Sequence, residues 1–128
     1  QVGIDKPILN TAGVTNEIEC IASLCNGAMA TSGNYRNFRY VDGKRVAHTI
    51  DPVSGYPVQH NLLSVTVIAD DCMTADAYAT AFMVLGVDKS LELAKKTTHI
   101  EALFICSAGA DSTANAIVVT PGMKKYLN

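Results

Sequence analysis

No surplus of positive charge marks this sequence: 10 Lys and Arg stand against 12 Asp and Glu, for a net charge of -2. A nucleic-acid binder shows a basic patch, so that class of partner is set aside. Charge of either sign is scarce, at 17% of residues, while 48% are hydrophobic. The chain can therefore bury a core, yet it carries few charges for a free-standing soluble domain. Long apolar runs are missing too: none reaches the roughly 18–20 residues of a membrane-spanning helix. No secretory leader pattern opens the chain, and its first residue is Gln1 rather than Met. The expectation is a processed, cleaved or truncated polypeptide. Its 128 residues suit one domain or part of one, and no repeat or low-complexity stretch interrupts them.

Paired cysteine spacing is absent as well. Cys20, Cys25, Cys72 and Cys106 show no C-x-x-C pattern and sit in or beside apolar runs, which reads as buried free thiols. A zinc site drawing on His48, His60 and His99 has little spacing to support it.

What is present is an ordered series of short elements. Val2–Ile4 is an apolar entry that stops at Lys6-Pro7, and residues 8–16 read as a loop. Residues 18–24 form an expected strand, Asn26-Gly27 a hairpin signal, and residues 28–31 a second strand. The stretches 35–40 and 45–50 alternate aromatic or apolar with polar residues around Asp42-Gly43, a strong hairpin signature. Residues 63–69 are β-branched and apolar, an expected buried strand. A Met- and Ala-rich helix follows and is closed by Gly86. A shorter helix over 91–96, capped by Asp88 or Ser90, comes next. Strands over 102–107 and 116–120, joined by a turn at 109–112, and a Pro121 helical turn complete the chain. The order predicts an α+β fold, with a largely antiparallel sheet, hairpins and two or three helices.

Three stretches carry candidate chemistry. In the first helix Asp76 and Thr80 are four residues apart, hence one turn apart on one face. A carboxylate and a hydroxyl stacked this way are hard oxygen ligands of the kind Mg²⁺ or Ca²⁺ takes. On spacing alone the same pair also reads as solvated or capping. The small, apolar neighbours Met73, Ala77, Ala79, Ala81 and Phe82 suggest a helix buried on most sides, where a carboxylate needs a partner. Thr31-Ser32-Gly33 reads either as a turn or as a place where backbone N–H groups meet a ligand's oxygens. His48, Ile50 and Asp51 fall at an expected strand end beside a Pro- and Gly-stiffened loop. There His48 is a base, a ligand contact or a packed polar residue.

Taken together, A-T-S-G-N-Y-R (30–36), H-T-I-D-P-V-S-G-Y-P-V (48–58), L-L-S-V-T-V-I-A (62–69), A-D-A-Y-A-T-A-F (75–82) and E-A-L-F-I (101–105) resemble one family. It is that of the FAD:protein FMN transferases, also called the ApbE family. The likeness covers 2–127 and looks like the C-terminal part of such proteins, so 1–128 is expected to be part of an ApbE-like (T-fold-like) domain. The resemblance implies binding of FAD and a divalent cation, usually Mg²⁺. It implies transfer of FMN to a Thr or Ser hydroxyl of a target protein, with release of AMP. It carries Asp76 and Thr80 over as metal ligands. Thr31, Ser32, Gly33, His48, Ile50 and Asp51 become flavin-site residues, with His48 also the candidate base. A cation there would neutralise the pyrophosphate and stabilise the departing AMP.

The family's N-terminal half has no counterpart here, so the expected partners include that missing half, or a second copy of the chain. Two other readings follow from the same residues: an FAD pyrophosphatase with water as acceptor, and a non-catalytic flavin- or partner-binding fragment. The resemblance also implies a location on the periplasmic side of the inner membrane, with a lipid anchor in the missing part.

Overall fold

The computed structural model describes residues 1–8, 17–35, 38–109 and 115–128. The expected loop over 8–16 and the turn over 109–112 fall largely outside them. The fold is α+β, as the sequence predicts. Its centre is an antiparallel sheet in the order β3 (Ala28–Gly33), β6 (Leu62–Ala69), β7 (Glu101–Ser107), β8 (Asn115–Val119). Two two-stranded antiparallel sheets accompany it: β1 (Val2–Asp5) with β2 (Ile18–Ala22), and β4 (Phe38–Val41) with β5 (Lys44–Ala47).

Period-two alternation assigns the faces of the central sheet. Val65, Val67 and Ala69 of β6, with Ala102, Phe104 and Cys106 of β7, meet helices α1 (Cys72–Leu85) and α2 (Val87–Lys96). Ile68, Leu103 and Ile105 turn the other way, onto Ile4, Ala22 and Met123. These come from the β1–β2 pair and from the terminal 3-10 turn Pro121–Tyr126, which is stitched to β2 through Ser23 N–H to Tyr126 O at 2.7 Å. Every residue of β6 is buried. On the helix side Phe82 sits at the centre, its ring 5.7 Å from Tyr78 and 5.7 Å from Phe104.

Several elements differ from expectation. Residues 18–22 and 28–33 do not form a hairpin: β2 pairs with β1, and β3 pairs with β6. Gly27 is needed for another reason, since it has φ +99° and a Cβ there would lie 2.7 Å from Ala69 O. It lets the chain pass close to the end of β6. Thr31, Ser32 and Gly33 are strand rather than turn. The second helix starts at Val87, because Gly86 (φ 76°) ends α1 and begins α2 at once. Ser90 caps nothing. It is buried within the helix, and its hydroxyl donates back to Gly86 O at 2.6 Å. The Asp42-Gly43 hairpin is present, with both residues at positive φ as such a two-residue turn requires. Strand β5 stops at Ala47, so His48 and Ile50 lie in the segment that follows. Of the four free cysteines only Cys106 is buried; Cys20 is half-buried, and Cys25 and Cys72 are exposed.

Gly27→Ala is expected to lower stability by about 2 kcal/mol or more, from left-handed backbone strain plus a backbone clash that cannot relax. Gly43→Ala, with nothing within 4 Å of the added carbon, carries the strain alone and is expected to cost about half as much. Urea midpoints of the two variants measure the difference.

Candidate functional site

Helix α1 owes its start to Asp71. One carboxylate oxygen accepts from Thr74 N–H at 2.9 Å, and the other accepts from the Thr74 hydroxyl at 2.7 Å. This satisfies an N-terminal donor that no turn of the helix can serve. The Thr74 N–H, and after it the Thr74 hydroxyl, hold the Asp71 carboxyl below its ordinary range. From that start the helix presents two stripes. Ala75, Ala79, Phe82 and Met83 are buried, while Met73, Asp76, Ala77 and Thr80 are exposed. The expectation of a helix buried on most sides is thus corrected. The small residues around Asp76 do not enclose it; Ala77 and Met73 (80% exposed) face outward with it.

The two expected metal ligands do share that outward face. The Asp76 side chain makes no hydrogen bond or ion pair among the described residues and is exposed, so its carboxylate is solvated rather than engaged. Thr80 has a neighbour that spacing could not reveal: its Oγ1 lies 3.3 Å from Ser32 Oγ on β3, the edge strand beside α1. The helix face and the Thr31-Ser32-Gly33 stretch therefore meet, through Ser32. Alternation along β3 sends Thr31 to the other face, where its hydroxyl bonds that of Thr66 at 2.8 Å. The Thr31 and Ser32 hydroxyls thus have partners on opposite faces of β3. Among the described residues no three His, Cys, Asp or Glu side chains cluster.

The segment after β5 is a rigid turn. Asp51 N–H donates to Tyr56 O at 2.9 Å, Gly55 N–H to Asp51 O at 2.8 Å, and Val58 N–H to Thr49 O at 3.1 Å. The Asp51 carboxylate accepts from Val53 N–H at 3.0 Å. That N–H first, then the Ser54 side chain, hold its carboxyl below the usual range. Asp51 is thus occupied in shaping the turn. His48 and Ile50 line a cleft of about 550 Å³, together with Arg39, Val41, Val46, Ala47 and Pro57. The lining is mostly apolar with a few polar groups, as small-molecule sites are. A second cleft of about 820 Å³ shares Val41, Val46, Ala47 and Pro57, and adds Asn34, Tyr56 and His60 among others.

Asn34 is a residue that the sequence reading passed over. It is 5% exposed, its N–H donates to Leu63 O at 2.8 Å, and its Oδ1 accepts from Thr49 Oγ1 at 2.6 Å. It ties the turn to the end of β3, two residues beyond Ser32. Its place directly after Thr31-Ser32-Gly33 was the available signal.

The sequence model of the family described as "ApbE family" matches residues 1–104. The chain belongs to the ApbE family. It is similar to the FAD:protein FMN transferase of Haemophilus influenzae, at 49% identity over 105 residues, covering 82% of this chain and 30% of that protein. It is similar also to the FAD:protein FMN transferase of Escherichia coli K12, at 35% identity over 127 residues, covering 99% of this chain and 34% of that protein. Among solved structures, the ApbE protein of Thermotoga maritima superposes with a TM-score of 0.77 at 32% identity, covering 99% of this chain and 38% of its own. The flavin transferase ApbE of Vibrio cholerae superposes with a TM-score of 0.74 at 33% identity, covering 98% and 37%. The chain spans about a third of the length of these relatives.

The Asp71 cap generates a pH test. A carboxyl lowered in the folded state contributes stability above its unfolded pKa, and that contribution is lost as pH falls through the folded value. The stabilisation of wild type over Asp71→Ala is therefore expected in full at neutral pH. It should decline only below the ordinary value of 3.8 and vanish in stronger acid. Thermal melts of both proteins across that range read it directly.

Proposed function

We propose that this chain supplies the cation-binding face and part of the flavin cleft of an FAD:protein FMN transferase, which moves FMN from FAD to a Thr or Ser hydroxyl of a target protein. The observation that carries the reading is the Ser32–Thr80 contact of 3.3 Å beside the solvated Asp76. It brings two sequence-distant motifs into one set of oxygens. The names of the Haemophilus influenzae and Escherichia coli relatives supply the reaction class.

The residues present suit a hard cation. Asp76 has no competing partner among the described residues, and Thr80 and Ser32 add only hydroxyl oxygen, a donor set for Mg²⁺ and not for a soft metal. Asp76 and Thr80 would hold it, leaving positions for phosphate oxygens and water. Bound there, it would neutralise the pyrophosphate charge that repels an incoming oxygen.

The rest of the chemistry belongs to the protein's own groups. The acceptor hydroxyl oxygen forms a bond to the phosphorus of the FMN moiety as the bond from that phosphorus to the AMP oxygen breaks. AMP leaves with the bridging oxygen, and the hydroxyl proton passes to a base, for which His48 is the candidate. Ile50 and the apolar cleft walls hold the ring system, and Asp51 keeps the turn that presents both residues. Asp76 and Thr80 are open to solvent in this chain. That exposure favours water as a competing acceptor, so hydrolysis of FAD to FMN and AMP is the second reading. The remaining part of the flavin site, and the cover for the exposed α1 face, would come from polypeptide beyond these 128 residues or from a second copy. Without it the chain is a flavin- or partner-binding piece.

In the full-length protein, Asp76→Ala is expected to abolish divalent-cation binding by calorimetry and to lower transfer by a factor of about a thousand or more, with the fold intact. Thr80→Ala is expected to be milder, because a neutral hydroxyl contributes less than a charge. Flavinylated acceptor among the products supports the transferase; free FMN alone supports the hydrolase. Unchanged cation affinity in Asp76→Ala would overturn the metal assignment.

The location follows the same resemblance: the periplasmic side of the inner membrane, anchored by lipid through sequence outside 1–128. No helix among the described residues is long and apolar enough to cross a membrane. Fractionation is expected to place the full-length protein with the membrane on its outward side, and recovery in the cytosol would contradict that.

A further inference from the structure

Among the described residues, His60 Nδ1 is a buried side-chain atom with no hydrogen-bond partner. The other ring nitrogen, Nε2, lies 2.8 Å from Met83 O. A carbonyl only accepts, so Nε2 carries a proton and donates it; in the neutral ring Nδ1 is then an acceptor with no donor. A buried acceptor without a donor is unfavourable, so the ring is held in place by what it does on its other side. Met83 O is among the last four carbonyls of α1, which have no partner within the helix. A side chain from outside the helix therefore closes it. The ring also packs tightly on the helix junction, since a Cβ at Gly86 would lie 3.2 Å from His60 Cδ2.

The backbone around His60 leads to the other half of the site. Two residues before it, Val58 N–H donates to Thr49 O at 3.1 Å, and Pro57 bridges to Ile50. One residue after it, the Asn61 amide donates to Ser107 O at 3.1 Å, fixing the segment to β7. A single imidazole thus joins the last turn of the helix bearing Asp76 and Thr80 to the turn bearing His48 and Ile50.

We propose that His60 is a positioning residue: its N–H to Met83 O fixes the spacing between the α1 face and the His48–Ile50 cleft. This rests on the transferase reading above. Transfer between two bound groups depends steeply on their alignment, so a loosened helix end lowers turnover while leaving the cleft's own contacts to the flavin in place.

The test uses two variants of the full-length protein. His60→Leu keeps bulk and removes the N–H, whereas His60→Gln restores an amide N–H at a reach close to that of Nε2. For His60→Leu, kcat for flavin transfer is expected to fall about tenfold or more with KM for FAD within about twofold. His60→Gln is expected to recover kcat to within about threefold of wild type. Amide hydrogen exchange in the last turn of α1, measured without FAD, should quicken in the leucine variant and return to normal in the glutamine variant. Unchanged kcat in His60→Leu alongside a lowered Tm would show a merely structural contact and overturn the proposal. Equal impairment of the two variants would also overturn it. The exchange measurement stands apart from the transferase reading: if Asp76→Ala changed neither cation affinity nor transfer, that reading would fail while the exchange result still judged the clamp.

Discussion

A strand that loses water on both faces must be covered twice, and β6 is such a strand along its whole length. Its Val65, Val67 and Ala69 demand an apolar helix face, while Ile68 demands a second layer from β1, β2 and the terminal 3-10 turn. That double demand organises the chain. It fixes α1 by its Ala75, Ala79, Phe82 and Met83 stripe, and so turns Asp76 and Thr80 outward. The polar face is a consequence of what the other face has to bury.

Two buried hydroxyls show how closely that core is filled. Ser90 answers its own burial by donating to Gly86 O within the helix. Thr66, fully buried in β6, bonds Thr31 across the sheet. Burial pushes up the Cys106 thiol, which keeps it protonated and unreactive, as a packed thiol should be. The candidate site lies instead at the rim, with Ser32, Thr80, Asp76 and the His48 cleft.

How far the sequence could be read depended on whether each signal was local. The Asp42-Gly43 hairpin, the Gly86 stop and the buried strand before α1 rest on backbone preferences of adjacent residues, and all three are present. The i,i+4 placing of Asp76 and Thr80 is likewise local geometry, and the helix honours it. Pairing between distant strands is not local. Asn26-Gly27 looked like a hairpin because the sequence cannot state that β3's partner lies more than thirty residues onward, in β6. Asp76 is exposed where its neighbours suggest burial for a related reason: alanine suits a buried and an exposed helix face equally, so Ala77 does not announce which way it faces. The Ser32–Thr80 meeting, the Asn34–Thr49 tie and the His60–Met83 bond each join separate segments, and no spacing rule spans them. The family resemblance named candidate residues, and the folded chain shows that Thr31 and Ser32 part company across the sheet.

Gly86 has a bearing on how this family can vary. One residue ends α1 and begins α2, His60 presses against it, and its N–H is bonded to Phe82 O at 3.0 Å. There is no slack in such a junction. An inserted residue would rotate one helix by about 100° against the other and swing Leu91 and Ala94 off the sheet. Length changes among related chains must therefore collect elsewhere, in connections such as the Asp42-Gly43 hairpin, and the helix corner should keep a constant residue count however far the sequences drift.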